Sequence, residues 1–509
     1  MTAASTVVPN RGLITASVML ATVMNSLDTT IANVALPHMA GSVSASPDQI
    51  TWVLTSYIVA SAILTPMSGW LANRFGRKMV FMVAIIGFTI ASALCGAATS
   101  LVQIVLFRLL QGAFGAALVP LSQAVLMDVY PPEEQGPAMA IWGMGALLGP
   151  IVGPALGGWL TDAFSWRWVF YINLPFGVLA ALGVFGFIHD GPKQARVRFD
   201  FTGFILLSVA LGSFQLFLDR GASKAWLEST EIWIEMSVAA IALALFIFHI
   251  STADRPFIPI ALFKDRNFLS ATVFGFFVGV LMFATLALLP PMLETLMGYP
   301  VVTTGLVTMP RGVGSMLSMF IVGRLINRVD TRLMVGFGLT LSSFSLLGMS
   351  QFDLAMDSRL VVLWGLAQGV GIGLVFVPLT TLGFATLDNR YRADGAGVFT
   401  LMRNLGASAG IAIMQALLTS NSQKVHARLV AGVHPDNPTA AAAMAAEHFS
   451  TTNPLGIAAL NGEIDRQSAM VAYIDDFKLM FILGLLALPL LLFMRPPRRG
   501  GDTPHVAME

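Results

Sequence analysis

The stretch Gly143–Gly158, GMGALLGPIVGPALGG, decides the fold. Its repeated glycines and prolines are Gly145, Gly149, Pro150, Gly153, Pro154, Gly157 and Gly158. Glycines spaced four residues apart leave one helix face bare, so a neighbouring membrane helix can approach closely. Two prolines one turn apart each remove a helix hydrogen bond and bend the helix. The stretch therefore predicts a bent membrane helix that packs tightly against a partner.

The composition of the whole chain agrees with a membrane protein. Hydrophobic residues make up 56% of its 509 residues, charged residues only 11%, and the mean hydropathy is +0.75. A soluble chain has about a quarter of its residues charged. The net charge of +1, without a dense basic tract, argues against a nucleic-acid partner. Because Cys95 is the only cysteine, an intrachain disulfide and a thiolate metal cluster are excluded.

Fourteen apolar runs are long enough to cross a bilayer, which takes about 20 residues. They are approximately 13–36, 50–70, 79–99, 102–126, 137–160, 167–188, 201–219, 231–250, 268–292, 303–323, 333–351, 358–383, 396–419 and 474–494. The run after Arg11 has no compelling cleavage site and is expected to stay as the first span. Most basic residues outside the runs fall on the side of the N-terminus. The positive-inside rule then places both termini in the cytoplasm, in a multi-pass inner-membrane protein.

An internal repeat relates two halves of the chain. Gln111-Gly112 followed by Pro120-Leu121-Ser122 resembles Gln368-Gly369 followed by Pro378-Leu379-Thr380, and the loops 69–78 and 323–332 match weakly. Repeated halves that meet at a midplane site are common in transporters. We expect an all-α membrane protein with an N-terminal six-helix bundle at 1–188 and a linker with spans seven and eight at 189–267. A C-terminal bundle at 268–494 includes an outer loop at 420–473, and a cytoplasmic tail follows at 495–509.

The outer loop is the one long connection, so the chain has no room for a soluble catalytic domain. Asn437-Pro438 and the alanine-rich run that follows predict a short helix up to His448. Two interpretations stay open for this loop. It is either a solvated spacer or a docking element for a periplasmic partner.

A polar stripe marks the first span. Asn25, Asp28, Thr29 and Asn33 fall within one arc of the helical wheel, and Asp28 is the only carboxylate deep within any predicted span. An ionisable group inside a membrane is costly and is by default a functional hypothesis. We therefore predict that Asp28 takes part in proton coupling. The alternative is a permanent hydrogen-bonded pair with an arginine or asparagine.

Three arginines also fall within spans. Arg108 lies near the start of the fourth, Arg403 within the thirteenth, and Arg311 follows Pro310 in the tenth. An arginine keeps its proton at accessible pH, so it can hold a carboxylate, backbone carbonyls or water. Arg108 is predicted to act with Asp28. Arg403 and Arg311 are possible charge tethers, and for Arg403 a purely structural tether between helices is an equal alternative.

Four stretches together resemble the major facilitator superfamily, specifically its fourteen-span drug:proton antiporters of the EmrB/QacA type. They are LDTTIANVALP (Leu27–Pro37), GWLANRFGRK (Gly69–Lys78), RLLQGAFGAA (Arg108–Ala117) and the glycine-proline stretch quoted above. The resemblance implies two six-helix bundles plus two additional spans, and export of amphipathic drugs in exchange for protons. It implies no cofactor, since the proton gradient drives transport. It also implies a periplasmic adaptor and an outer-membrane channel as partners in a host with two membranes.

The second of these stretches resembles the superfamily's gating loop. Its key residues here are Gly69, Asn73, Arg74, Gly76, Arg77 and Lys78. The family pattern has an acidic residue where this chain has Asn73. An asparagine can only hydrogen-bond, so the resemblance leaves open how this loop stabilises the outward-facing state.

Substrate is expected to bind in a cavity between the bundles. The predicted lining is Met24, Asn25, Asn33, Trp52, Tyr57, Gln111, Phe114, Met144, Phe283, Met292, Gln368 and Phe376. Methionine and aromatic surfaces adapt to varied apolar ligands. Ordinary core or lipid-facing packing is the alternative for each of these residues.

Other functions compete with multidrug export. The same machinery can export one metabolite, siderophore or antibiotic. An intramembrane enzyme is disfavoured, because the sequence has no HExxH motif, no paired-aspartate signature and no membrane Ser/His pair. A structural or sensor membrane protein would have no need of the Asp28 stripe or of the glycine-proline helix.

Overall fold

The computed structural model describes residues 10–188, 199–221, 224, 226–254, 256–326, 328–433 and 453–494. These residues form helices and connections, without a strand among them. The helices, in chain order, are α1 (Arg11–Ser42), α2 (Pro47–Ile50), α3 (Trp52–Leu64), α4 (Met67–Phe75), α5 (Arg77–Ala97), α6 (Leu101–Gly115), α7 (Leu118–Val129), α8 (Pro132–Ala163), α9 (Trp168–Tyr171), α10 (Asn173–Phe187), α11 (Phe201–Gly221), α12 (Thr230–Thr252), α13 (Ala261–Lys264), α14 (Arg266–Pro291), α15 (Val301–Leu325), α16 (Thr331–Met349), α17 (Ser358–Ala385), α18 (Arg392–Gly432) and α19 (Pro454–Ala487).

The described residues contain twelve helices that are long and apolar enough to cross a membrane. The pair α3 and α4, bent by 56° at a short break, makes a thirteenth if it is counted as one span. Helix α1 has 32 residues and is long enough to cross, but its polar stripe keeps it out of this set. With α1 included, the described part of the chain is compatible with the fourteen predicted spans.

The long helices pack in two groups. In the first, α1 packs against α8 and α10, while α6 packs against α3 and α5. In the second, α17 packs against α15 and α16, and α18 packs against α14 and α19. Helix α11 contacts α3 of the first group and α18 of the second, and α12 packs mainly on α11. We call the two groups the N-bundle (α1–α10) and the C-bundle (α14–α19).

The outer faces of both bundles and of α12 are apolar. Large side chains such as Phe185, Phe248 and Phe337 are more than 60% exposed. Monomeric soluble proteins rarely expose broad apolar surfaces of this kind. This surface is the one that a bilayer covers.

The two bundles meet at the end that carries Arg74, Arg77, Lys78, Arg324 and Arg392, which we call the basic end. There a Cβ atom on Gly69 of α4 would overlap Asp394 of α18, and one on Gly136 of α8 would overlap Ile326. Nη1 of Arg392 donates to the Met127 carbonyl at 3.3 Å. Helix α8 also packs along α15. The chain is therefore closed at its basic end in this conformation.

Two helices extend well beyond the predicted spans. Helix α18 continues to Gly432, where the sequence predicted a loop from 420, and α19 begins at Pro454, where the loop was predicted to last until 473. His426 lies 3.1 Å from Asn461 and 3.4 Å from Asp465, which joins the two extensions. Hydropathy marks where lipid contact ends, but a helix can continue into water. The short helix predicted up to His448 and the tail at 495–509 lie outside the described residues.

Candidate functional site

Asp28 of α1 lies at the centre of a buried polar network. Nη1 of Arg108 donates to its Oδ2 at 2.6 Å, and Nε2 of Gln111 donates to its Oδ1 at 2.8 Å. Nδ2 of Asn173, from the first turn of α10, donates to the same Oδ1 at 2.9 Å. The carboxylate is 0% exposed. Three donors from two other helices therefore hold it inside the N-bundle.

Arg108 extends this network to α3. Its Nε donates to the Val53 carbonyl at 3.1 Å, and its guanidinium lies 4.3 Å from the centre of the Tyr57 ring. The Tyr57 hydroxyl accepts a hydrogen bond of 3.0 Å from Nδ2 of Asn25. A Cβ atom on Gly112 would overlap the Tyr57 backbone, so α6 and α3 are in close contact. Asp28 and Arg108 thus connect α1, α3, α6 and α10.

This geometry bears on the two interpretations of Asp28. In this conformation the carboxylate forms an ion pair with Arg108, as the structural alternative anticipated, and it does not line the cavity between the bundles. The polar stripe divides in two: Asn25 and Asp28 face the bundle interior, while Thr29 and Asn33 are exposed. The role of Asp28 and Arg108 in proton coupling stays a prediction.

The glycine-proline stretch lies in α8 against α1. Pro150 has no N–H to offer the carbonyl of Ala146 one turn earlier. The hydroxyl of Ser26 in α1 donates to that carbonyl instead. Thr30, one turn further along α1, donates to the Gly149 carbonyl at 3.0 Å. A Cβ atom on Gly149 would overlap the Ser26 backbone, so the missing side chain is what permits this contact.

The rest of the stretch follows the same face. Cβ atoms on Gly145, Gly153 and Gly157 would meet Met19, Thr30 and Ile31 of α1. At Gly158 the nearest atom would lie 3.8 Å away, an ordinary contact. Pro154 is exposed. The bare face of α8 is therefore the face that α1 covers.

The gating loop lies at the basic end. Gly76, with φ of 95°, separates α4 from α5 in a backbone conformation that favours glycine. Arg77 forms an ion pair with Asp128, and Nζ of Lys78 donates to the Phe185 carbonyl at 2.7 Å. The guanidinium of Arg74 lies 5.7 Å from the ring centre of Trp70.

Besides Asp128, an acidic group from the other bundle faces this loop. Asp394 is half-buried at the start of α18, against the bare backbone of Gly69. Asn73 is half-buried. The sequence named no residue of the C-bundle as a partner for this loop, because the pairing depends on how the bundles meet.

A cavity of about 60 Å³ lies between the bundles. Leu147, Pro150 and Ile151 of α8 line one side, and residues of α14, α15 and α17 line the other. Arg311 is the one candidate residue from the sequence, apart from Pro150, that the structure places on its wall. It is 8% exposed, and its Nη2 donates to the Met282 carbonyl at 2.7 Å.

The twelve predicted lining residues lie elsewhere. Met24, Tyr57 and Met292 are buried in the core, while Trp52 is 40% exposed. Phe376 stacks on Trp142 with ring centres 6.0 Å apart, and Nε2 of Gln368 donates to Thr285 at 3.0 Å. The half-buried ones are Phe114, Met144 and Phe283. None of the twelve, all within the described residues, is on the wall of this cavity.

Arg403 is half-buried in α18. Its guanidinium lies 5.8 Å from the Phe376 ring, and its Nη2 is 3.5 Å from Oδ1 of Asn404. Among the described residues no carboxylate forms an ion pair with it. Its role as a tether stays a prediction.

Sequence reasoning missed two polar residues. Asn173 completes the shell of Asp28, and only its place within the sixth span could have drawn attention to it. Asp476 of α19 is 1% exposed, and neither of its carboxylate oxygens has a hydrogen-bond partner among the described residues. The predicted last span began at 474, which put Asp476 at its edge and left Asp28 as the apparent sole buried acid.

Nearly the whole chain is similar to known membrane transport and resistance proteins. Residues 18–411 match the family model of the Major Facilitator Superfamily. The fatty acid resistance protein FarB of Neisseria gonorrhoeae is 35% identical over 499 residues, which cover 97% of each chain. The multidrug export protein EmrB of Escherichia coli strain K12 is 34% identical over 492 residues, which cover 96% of each chain.

Solved structures share the fold at low sequence identity. The human organic anion transporter MFSD10 superimposes with a TM-score of 0.62 at 15% identity, over 95% of this chain and 100% of that one. The proton:xylose symporter XylE gives a TM-score of 0.62 at 14% identity, over 96% of both. At these identities the likeness is one of fold alone. From the family match and the near full-length relatives together, the chain belongs to the Major Facilitator Superfamily.

Proposed function

We propose that this protein is a proton-coupled antiporter that exports amphipathic drug-like molecules across the inner membrane. Relatives of almost the same length that are named for multidrug export and for fatty acid resistance support export as its activity. The observation that carries the proton coupling is the ion pair of Asp28 and Arg108, buried in the N-bundle. An acid within a membrane helix is the kind of group that can carry a proton through a transport cycle.

The proposed coupling acts through Arg108. Protonation of Asp28 removes the negative charge that holds the guanidinium, which leaves Arg108 with the Val53 carbonyl and the Tyr57 ring of α3. The contact between α1 and α6 weakens as a result, while that between α3 and α6 stays. Coupling requires that protonation favours one conformation of the bundles over the other by a differential free energy.

The orientation is part of the proposal. The positive-inside rule puts the basic end, and with it both termini, in the cytoplasm. The contact of Gly69 with Asp394 then closes the cytoplasmic side, so this conformation faces outward. Alternation between the two bundles opens the other side in turn.

Transport into inverted membrane vesicles tests the coupling. Asp28→Asn should abolish efflux driven by a proton gradient while the protein stays folded. Asp162→Asn is the matched control, because Asp162 is exposed at the end of α8. Undiminished gradient-driven efflux by Asp28→Asn would remove Asp28 from the mechanism.

A dedicated exporter of one metabolite, siderophore or antibiotic would use the same machinery. A resistance screen separates multidrug export from dedicated export, since a dedicated exporter protects against few compounds.

A periplasmic adaptor and an outer-membrane channel are the proposed partners in a host with two membranes. Copurification of an adaptor with the tagged protein tests that partnership.

A further inference from the structure

The cavity between the bundles has apolar walls and one cationic group. Most of its lining consists of leucine, isoleucine, methionine and proline side chains, with the hydroxyls of Thr285, Thr308 and Ser315 as the other polar groups. Arg311 is the one charged residue on its wall within the described residues. The cavity therefore has a positive charge that no acidic side chain on its wall neutralises.

Arg311 contrasts with Arg108, the other buried arginine among the described residues. Arg108 has Asp28 as its counter-ion. Arg311 has five N–H donors, and the described residues accept one hydrogen bond from it, at the Met282 carbonyl. No acidic side chain among the described residues lies within ion-pair distance of it. A buried charge is costly unless it is paired, so this site favours an anion from outside the chain.

The surrounding backbone fixes the position of Arg311. The hydroxyl of Ser315, one turn later in α15, donates to the Gly369 carbonyl of α17 at 2.9 Å. A Cβ atom on Gly369 would overlap the Arg311 carbonyl, so the two helices are in close contact there. The Met282 carbonyl of α14 holds one side of the guanidinium. Arg311 is thus a preorganised group on packed helices.

The N-bundle completes the site. A Cβ atom on Gly312 would overlap Ile151 of α8, so the glycine next to Arg311 lets α8 approach. Leu147, Pro150 and Ile151 then form an apolar wall from the other bundle. A ligand bound here would contact both bundles, so its binding free energy depends on how they are arranged.

We infer that this cavity binds the anionic head group of an amphipathic organic monoanion, with Arg311 as the group that recognises it. A guanidinium gives strong, geometrically specific hydrogen bonds to a carboxylate. The cavity of about 60 Å³ has room for several water molecules, each of which needs about 10–15 Å³, and a carboxylate head would replace them. The apolar walls suit the first methylenes of the tail. This inference rests on the proposed function, since it names the class of molecule exported.

The sign of the charge sets this site apart from Asp28. An exposed carboxylate would attract cationic amphiphiles, but Asp28 is enclosed and already paired with Arg108. A cationic head in the cavity would meet Arg311 and be repelled. The geometry therefore predicts selectivity for anions over cations of the same chain length.

Equilibrium dialysis of the full chain in nanodiscs of zwitterionic lipid tests the inference, with empty nanodiscs subtracted. The probes are decanoate and decyltrimethylammonium, which share a tail and differ in the sign of the head group. The wild-type protein should bind decanoate at least tenfold more tightly. Equal binding of the two probes, or a preference for the cation, would overturn the inference.

Three variants assign the effect to the guanidinium. Arg311→Gln should weaken decanoate binding at least tenfold and leave decyltrimethylammonium binding unchanged or stronger. Arg311→Lys keeps the charge and should recover much of the anion preference that the glutamine variant loses. Arg324→Gln, an exposed arginine of the same helix, should bind like the wild type. Unchanged decanoate affinity in both Arg311 variants would overturn the assignment.

A separate readout distinguishes this inference from the proposed transport mechanism. Asp28→Asn should lose proton-driven export and keep decanoate binding, because Asp28 is not on the cavity wall. Lost export with retained anion binding supports the cavity assignment whatever the fate of the coupling scheme. Intact export of decanoate by Arg311→Gln would overturn the anion site and leave proton coupling untouched.

Discussion

Oδ2 of Asp28 lies 2.6 Å from Nη1 of Arg108, and the two side chains are 0% and 1% exposed. The pair lies on two helices of one bundle, within a shell that also contains Gln111 and Asn173. Removing one member of a buried pair leaves an uncompensated charge, which costs more than the pair itself contributes. Any change of protonation here is therefore a change in how α1 and α6 hold together.

Arg108→Gln should destabilise the protein by about 3–5 kcal/mol because it leaves Asp28 buried without its counter-ion. The double variant with Asp28→Asn should be clearly more stable than the sum of the two single effects, since it leaves no charge behind. Thermal unfolding in detergent measures this. The exposed pair of Arg11 and Glu134, 3.0 Å apart, is the control, with a coupling below about 1 kcal/mol. If the stability losses of the two single variants simply add in the double variant, Asp28 and Arg108 are not a coupled ion pair.

Gly149→Ala should destabilise the contact between α1 and α8, because its Cβ atom would overlap the Ser26 backbone. Overpacking of this kind costs about 1–3 kcal/mol. Gly158→Ala is the matched control, since its Cβ atom would lie 3.8 Å from Val34. The midpoint of thermal unfolding should fall for the first variant and stay near the wild-type value for the second. Equal midpoints would show that α1 and α8 are not in this close contact.

Gly69→Val should open the basic end, because even a Cβ atom there would overlap Asp394 of α18. The readout is maleimide labelling of a cysteine introduced at Ile326, which is 7% exposed where it faces Gly136. Labelling should be slow in the Ile326→Cys protein and faster when Gly69→Val is added. The natural Cys95 is buried and gives little background. If Gly69→Val leaves the labelling rate unchanged, the contact does not hold the basic end closed.

The contribution of Asp200, just before α11, to the stability of the folded protein should depend on pH. Burial raises the pKa of its carboxyl, but hydrogen bonds from the Gly203 and Phe257 amides and from His249 outweigh this and hold the pKa below its ordinary value of 3.8. A lowered folded-state pKa stabilises the protein above the ordinary value, and the contribution is lost as pH falls through the folded-state value.

Asp200→Asn should accordingly lower the midpoint of thermal unfolding. The decrease should have its full size above about pH 5 and become progressively smaller below about pH 4. Thermal scans across that range measure the effect. Asp254→Asn, an exposed acid nearby, should have little effect at any pH. If the decrease in midpoint caused by Asp200→Asn instead became larger as the pH falls, the pKa of Asp200 would not be lowered in the folded protein.

The helical fold could be predicted from the sequence because helices that contact lipid require long apolar runs. The sequence also predicted the tight face of α8, since bare glycines at a fixed spacing have few other uses in a membrane. The ends of α18 and α19 were misplaced because hydropathy reports lipid and not helix length. The sequence does not show which helices pack against each other. For this reason the contact of Asn173 with Asp28 was not predicted, and neither was the contact of Asp394 with Gly69.

The lining of the cavity was the least predictable feature. Phe376 and Met292 are residue types that suit a drug site, yet one stacks on Trp142 and the other is enclosed in the core. Methionine and aromatic residues are spread over most spans, so residue type alone does not tell an inward face from a packed one. Arg311 stood out from sequence because a charge in a span is rare, and its position on the wall follows from the packing of α15 on α8 and α17.

The bond from Ser26 to the Ala146 carbonyl has a consequence for movement. If α1 slid along α8, that carbonyl would lose this donor, and Pro150 has no N–H to replace it. The two helices must therefore shift as one rigid unit during transport. Relative motion is left to the seam between α8 and α15, where Gly312 faces Ile151 and Gly323 faces Ala140.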